Sequence, residues 1–240
     1  MDVVGDSVVV GLGRATLRVL GGFELAIDSR PVPLPTQAQR VVGYLAVRTN
    51  TAPREVLAGT LWPHCSQRRA QSNLRTALWR IRQASPVVIQ SARNWVRLGD
   101  GVEVDSKAAF QLAQDLIVKD MFDPLARWSI SLLESDLLPG WDEEWLVVER
   151  ERLRQLRIHA LEALSGYLRH RGRFGEAIDA ALSAVGAEPL RESAHIALIE
   201  AYIAEGNVSE AARQKESYRR LLKVELGLEP SSRMQALLTS

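Results

Sequence analysis

Cysteine and lysine are both scarce in these 240 residues, and each scarcity narrows the reading. The single cysteine, Cys65, leaves no intrachain disulfide to form and points to a reducing cytoplasm. Only Lys107, Lys119, Lys215 and Lys223 among the 30 basic residues are lysine, a skew that GC-rich coding explains without any mechanism. No apolar run approaches the ~20 residues a membrane helix needs. The N-terminus, MDVVGDSVVVGLG, carries acids where a secretory signal has a basic segment. A cytoplasmic chain without membrane association is therefore expected. Catalytic signals are thin too. His64, His159, His170 and His195 have no ligand spacing, Cys65 has no partner thiol, and neither G-x-S-x-G nor G-x-x-x-x-G-K-[ST] occurs. The acid pair Glu143/Glu144 reads as a solvated helix start. No catalytic residue, no metal and no cofactor are expected.

What is present is an ordinary globular composition, 46% hydrophobic and 25% charged, in a chain long enough for two modest domains. The formal charge of +1 hides an asymmetry. Residues 36–98 hold ten arginines against the single acid Glu55, a net +9, whereas residues 106–240 hold 17 basic and 21 acidic residues, a net −4. Two domains with different partners follow, the first carrying a field suited to a polyanion.

The basic segment reads as a small α+β unit. Short apolar runs at 17–20 and 23–27 are broken by Gly21-Gly22, and Asp28-Ser29 turns the chain into a proline-marked edge strand over 30–34. Thr36 is expected to cap a first helix with Val41, Val42, Leu45 and Ala46 on its inner stripe, and Asn50 to end it in a left-handed cap. Pro53 is expected at the first position of a second helix that runs to Trp62 and stops at Pro63.

A third helix, Ser66 to about Ala84, carries the strongest signal. Ala70, Leu74, Ala77, Leu78 and Ile81 share one face. The opposite face presents Arg68, Arg69, Ser72, Arg75, Thr76, Trp79 and Gln83, flanked by Asn73, Arg80 and Arg82. Arginine reads guanine edges bidentately, and short hydroxyl and amide side chains reach bases or phosphates without bulk. Solvated helices interleave both signs of charge, but no acid occurs from Ser66 to Gly99. Trp79 is unusual on such a face and suggests packing on the following hairpin or another domain. That hairpin, 87–90 and 95–98, has a cationic tip at Arg93, with Asn94 suited to a positive-φ turn position. Sheet, three helices and a basic hairpin is the order of a winged helix-turn-helix. The residues expected at DNA are Arg54, Arg68, Arg69, Ser72, Asn73, Arg75, Thr76, Arg80 and Arg93.

The acidic half reads as all helix, and it repeats. Gly172-Arg173-Phe174-Gly175-Glu176-Ala177 aligns with Gly206-Asn207-Val208-Ser209-Glu210-Ala211 at an offset of 34, the tetratricopeptide period. Repeats at 158–191 and 192–225 place Ala177 and Ala211 where paired helices approach closely, Pro189 at a repeat end, and the last helix stopping at Gly227. Upstream, Asp142 is expected to cap a long charged helix, with Trp141 and Trp145 packing against the first repeat.

LRVLGGFELAIDSRPVPLPTQAQRVVGYLAV, PREVLAGTLWP and RRAQSNLRTALWRIRQA together resemble the OmpR-type winged helix-turn-helix of the Streptomyces antibiotic regulatory protein (SARP) family. LLPGWDEEWLVVERERLRQLRIHALEAL and the repeats resemble that family's bacterial transcriptional activator domain. The resemblance spans about Leu17 to Leu238 and departs from the family at Ser29 and Asn94, where relatives carry glycine. It implies a mainly α fold with small β elements: a flexible stretch over 1–16, a DNA-binding winged helix over 17–105, and a helical activator domain over 106–240. It further implies a nucleoid-associated activator of an antibiotic gene cluster. Such an activator binds direct repeats of double-stranded DNA as a dimer and recruits RNA polymerase through the sigma subunit. The turn around His64 and Ser66, with Glu55, would be the polymerase contact. The competing reading is a tetratricopeptide interaction scaffold without DNA binding, for which an unopposed arginine helix has no use.

Overall fold

The computed structural model describes residues 14–119 and 135–238, which fall into two units. One comprises 14–106 with 136–149, the other 107–119, 135 and 150–238. Of the stretch 1–16, expected to be flexible, residues 1–13 lie outside the described residues. Residues 15 and 16 already belong to a strand.

In the first unit, β1 (Ala15–Arg18) alternates Ala15 and Leu17 inward with Thr16 and Arg18 outward, the period of a strand with one buried face. It pairs antiparallel with β2 (Glu24–Ile27), which pairs with the two-residue edge strand β3 (Arg30–Pro31). Asp28 and Ser29 close that hairpin at φ 49° and 65°, a two-residue turn with both residues left-handed. The Asp28 carboxylate accepts the Arg14 backbone N–H at 2.8 Å and holds the turn. A fourth strand, β7 (Val102–Val104), runs parallel to β1 and completes the order β3-β2-β1-β7.

Three helices follow the sheet's first hairpin: α1 (Thr36–Val47), α2 (Arg54–Leu61) and α3 (Gln67–Ala84). The expected stripe Val41, Val42, Leu45 and Ala46 is buried. The end signals differ from the sequence reading. Pro35, not Thr36, is the N-cap of α1, because its fixed φ already leads the chain into the helix. The helix stops at Val47 with Arg48 still right-handed, and neither Asn50 nor Asn94 takes a positive φ. Pro53 sits just before α2 as its N-cap, since it also ends a short strand, β4 (Thr51–Pro53). That strand pairs with β6 (Trp95–Leu98), which pairs with β5 (Ile89–Ser91), so the wing is a three-stranded sheet ordered β4-β6-β5.

Residues 136–149 complete this unit, and here the expectation for the two tryptophans is corrected. Trp141 stacks on Phe23 with ring centroids 5.8 Å apart, and Trp145 meets Tyr44 edge-on at 5.1 Å, rather than packing on the first helical repeat. The strap is pinned by its backbone, Leu138 donating to Val19 O at 2.7 Å and Asp136 O accepting from Gly21 at 2.8 Å. Gly43 makes room for it: a Cβ there would lie 3.0 Å from the Trp141 ring. Asp142 does not cap the helix that follows, which begins at Glu144.

The second unit is helical throughout its described residues. It contains most of α4 (Asp105–Lys119), whose existence the sequence reading passed over, and most of α5 (Glu144–His170). Then come α6 (Phe174–Ala187), α7 (Glu192–Glu205), α8 (Val208–Leu226) and the short α9 (Ser232–Ala236). The 34-residue offset has a structural counterpart. Gly172 and Gly206 are both left-handed (φ 72° and 89°) between helices, and Ala177 and Ala211 are fully buried. Gly227 is the left-handed cap of α8. Among the described residues, no helix is long and apolar enough to cross a membrane.

Candidate nucleic-acid interface

The inner stripe of α3, Ala70, Leu74, Ala77, Leu78 and Ile81, is buried to the last residue, which fixes what the rest of the helix presents. At 100° per residue the outermost ridge is Arg68, Ser72, Thr76, Trp79 and Gln83, all exposed. Arg75 and Gln71 slope to one side of that ridge, Arg69, Asn73 and Arg80 to the other. The two flanks face two different grooves. On the first side α3 meets the start of α2 and the tip of the wing in a groove lined by Arg54, Arg75, Arg93 and Gln71. On the second it meets the start of α1 and residues 62–66 in a groove lined by Arg69, Asn73, Thr76 and Arg80.

Every residue expected at DNA therefore lies on the α3 ridge or in one of its flanking grooves. Arg68, Arg69, Arg75, Arg80 and Arg93 form no ion pair among the described residues. Arg54 stands at the base of the wing. Its backbone N–H donates to Asn94 O at 2.9 Å and its Nη1 to Ala92 O at 3.4 Å. Burial, then the like charges of Arg82 and Arg75, hold its pKa below the ordinary guanidinium value. Three guanidiniums crowded together, with Glu55 the one acid lining the groove, are what a phosphate relieves. The Thr76 hydroxyl donates back to Ser72 O at 3.2 Å, so its methyl and its acceptor lone pairs are what it offers outward.

Two contacts go beyond what the sequence signals. Arg82 is exposed, yet its Nη2 donates to Ser91 Oγ at 2.6 Å and so ties α3 to the wing. Trp95 lies on the wing with the Arg97 guanidinium 5.7 Å from its ring centroid. The first contact joins two elements, α3 and β5, and so leaves no local pattern, whereas Trp95 and Arg97 stand two residues apart on β6. Trp79, for which packing on the wing or on another domain is expected, is instead 53% exposed, and its neighbour is the Arg80 guanidinium, 4.8 Å from the ring centroid.

The expected polymerase residues separate. His64 and Ser66 are exposed on the turn and line the second groove. Glu55, also exposed, lies at the opposite end of α2 in the first groove with Arg54, Arg75 and Arg93. Trp62 between them is an anchor, 7% exposed, its indole N–H donating to Gln37 Oε1 at 3.0 Å.

Residues 123–240 match the family described as the bacterial transcriptional activator domain. The fold is similar to a solved structure of Mycobacterium tuberculosis EmbR in complex with a low-affinity phosphopeptide. The TM-score is 0.76 at 20% sequence identity, over 94% of this chain. The chain spans 64% of that relative's length. No curated protein sequence matches. A winged helix-turn-helix followed by an all-α helical region is the fold the two share, and within it residues 123–240 carry the sequence match to the bacterial transcriptional activator domain.

Proposed function

We propose that this chain is a sequence-specific DNA-binding activator. On this reading α3 lies in the major groove and the wing tip at Arg93 touches the backbone beside it. Two protomers occupy a direct repeat near the promoter of a secondary-metabolite gene cluster. The observation that carries the reading is the acid-free arginine face of α3 with a cationic groove on each flank. A helix of that kind binds a polyanion and, through Arg68, Arg75, Ser72 and Asn73 with the Thr76 methyl and lone pairs, has the groups to discriminate base edges. The helical half, built from paired helices at tetratricopeptide spacing, supplies the second function, protein contact, and the turn at His64 and Ser66 meets the sigma subunit.

The test is one preparation measured two ways. Gel shift with duplexes tiled across the gene's own upstream region is expected to yield a directly repeated site bound in preference to a scrambled duplex. In vitro transcription from that promoter is expected to rise with the protein. His64→Ala is expected to leave affinity within about threefold while lowering transcription. A protein that binds no tiled duplex better than the scrambled one overturns the reading.

A further inference from the structure

Residues 136–149 fall within the span that matches the activator family, yet they pack as part of the winged-helix unit. At the end of this strap, Glu143 grips Arg40 of α1 through both carboxylate oxygens, Oε1 to Nε and Oε2 to Nη2, the latter at 3.0 Å. The pair is largely withdrawn from water, with side chains 19% and 12% exposed. The same Arg40 reaches the helix-turn-helix by three further contacts. Its Nη2 donates to Leu61 O at the C-terminal end of α2, where a cation also meets the helix dipole. Its Nη1 donates to Gln37 Oε1 at 3.0 Å, the oxygen that also accepts the Trp62 indole N–H. Its guanidinium lies 5.7 Å from the centroid of the Trp62 ring. On the strap side Trp145 Nε1 donates to Glu143 Oε2 at 3.2 Å. An unbroken set of contacts thus runs from the strap through Arg40 to Leu61 and Trp62, where the turn into α3 starts.

We propose that the Glu143–Arg40 pair is a positioning device by which the activator-family segment sets the turn between α2 and α3, and with it the aim of α3 on DNA. Glu143 carries the wrong charge to bind a phosphate. Its influence on recognition passes through Arg40, whose guanidinium without it becomes a desolvated charge free to leave Leu61 O. The inference rests on the DNA-binding reading above and deepens it.

The experiment uses the full chain and two probes, the tiled duplex with the highest affinity and a scrambled duplex of the same length and composition. Glu143→Gln is compared with wild type at a temperature where thermal melting shows both fully folded. The expected result is a loss of about tenfold or more in affinity for the repeat, with affinity for the scrambled duplex and the salt dependence unchanged, because no phosphate contact is lost. The direction is diagnostic: removing an acid alone would strengthen binding to both duplexes. Trp145→Phe keeps an aromatic ring on the Tyr44 side and deletes the N–H to Glu143, together with part of the buried indole. A loss of about two- to fourfold, again confined to the repeat, is expected, and this variant decides the matter if Glu143→Gln does not fold. Affinity for the repeat within twofold of wild type in folded Glu143→Gln overturns the proposal, as do equal losses on both duplexes. A wild-type chain that never distinguishes the two duplexes overturns the DNA-binding reading itself, and the positioning role with it.

Discussion

Salt dependence is the sharpest test of the arginine face. Six arginines lie on the α3 ridge or in its flanking grooves: Arg54, Arg68, Arg69, Arg75, Arg80 and Arg93. Each phosphate neutralised releases counterions, worth about −0.9 in the slope of log affinity against log salt. Six phosphate contacts per protomer give a slope of about −5, so raising salt from 50 to 200 mM costs about a thousandfold in affinity. If two of the six read base edges instead, the slope is about −3.6 and the loss about a hundredfold. Fluorescence anisotropy on a labelled half-site duplex measures this for one protomer. Arg93→Ala removes an exposed wing-tip cation that forms no ion pair among the described residues, so it is expected to flatten the slope by about 0.9 while weakening every sequence alike. Arg82→Ala is the poorer probe, because its bond to Ser91 makes wing placement change together with charge. A wild-type slope shallower than about −2, or an Arg93→Ala slope equal to wild type, refutes the assignment of this face to DNA.

Other perturbations follow from single contacts. A Cβ on Gly99 would lie 2.0 Å from Val87 O, so Gly99→Ala displaces the wing backbone and is expected to destabilise by about 3 kcal/mol, read as a lower denaturant midpoint. Ser29→Gly relieves a left-handed residue in the first hairpin and is expected to stabilise by about 0.5–1 kcal/mol in the same assay. His195 is buried against Tyr218, and its ring nitrogens are taken by Pro189 O at 2.8 Å and the Gln214 amide at 2.8 Å. Burial lowers its pKa below the ordinary 6.5, outweighing the hydrogen bond to Pro189 O and the charge of Glu192, which raise it. The unfolded chain therefore binds this proton more readily. The contribution is whole above about pH 6.5 and lost as pH falls below it, by at most about 1.4 kcal/mol per pH unit. Thermal melts from pH 8 to 5 are expected to show that fall, reduced in His195→Gln, and identical pH profiles for the two proteins would refute it.

The parts of the fold that could be read from sequence are those that one stretch of chain determines alone. The stripe of α3 repeats over about three turns, and burial of all five of its members leaves a single outward face, so the arginines could be placed before any neighbour was known. The glycines at 172 and 206 punctuate helices by a local backbone requirement and were equally visible. What escaped depends on partners remote in sequence. Strands β4 and β7 are three residues each, too short for periodicity, and exist because β6 and β1 offer them hydrogen bonds. Cap assignments failed at Thr36 and Asn50 for a related reason. A preceding proline and a right-handed exit satisfied the helix ends, so the side chains suited to capping were not needed. Glu55 was misgrouped with His64 because both belong to the second helix and its turn. An eight-residue helix is about 12 Å long, enough to put its two ends in different grooves.

The strap shows most clearly what sequence periodicity cannot convey. Trp141 and Trp145 announce burial by their type, but type does not name the surface that buries them. The nearest apolar partner in sequence was the first repeat. The actual partners, Phe23 and Tyr44, lie more than 90 residues earlier. Room for that docking had to be made in a separate element, by a glycine at position 43 on the inner side of α1, a residue that weakens an isolated helix by about 1 kcal/mol relative to alanine. A helix interior accepts that cost when a large side chain from elsewhere occupies the space. Gly43, Arg40 and Tyr44 thus present one side of α1 to the strap, while Val41, Val42 and Leu45 of the same helix face the winged-helix core. A winged helix cut after β7 would leave the strap-facing side of α1 bare. The basic unit for this reason does not end at β7 but takes in residues 136–149 as well.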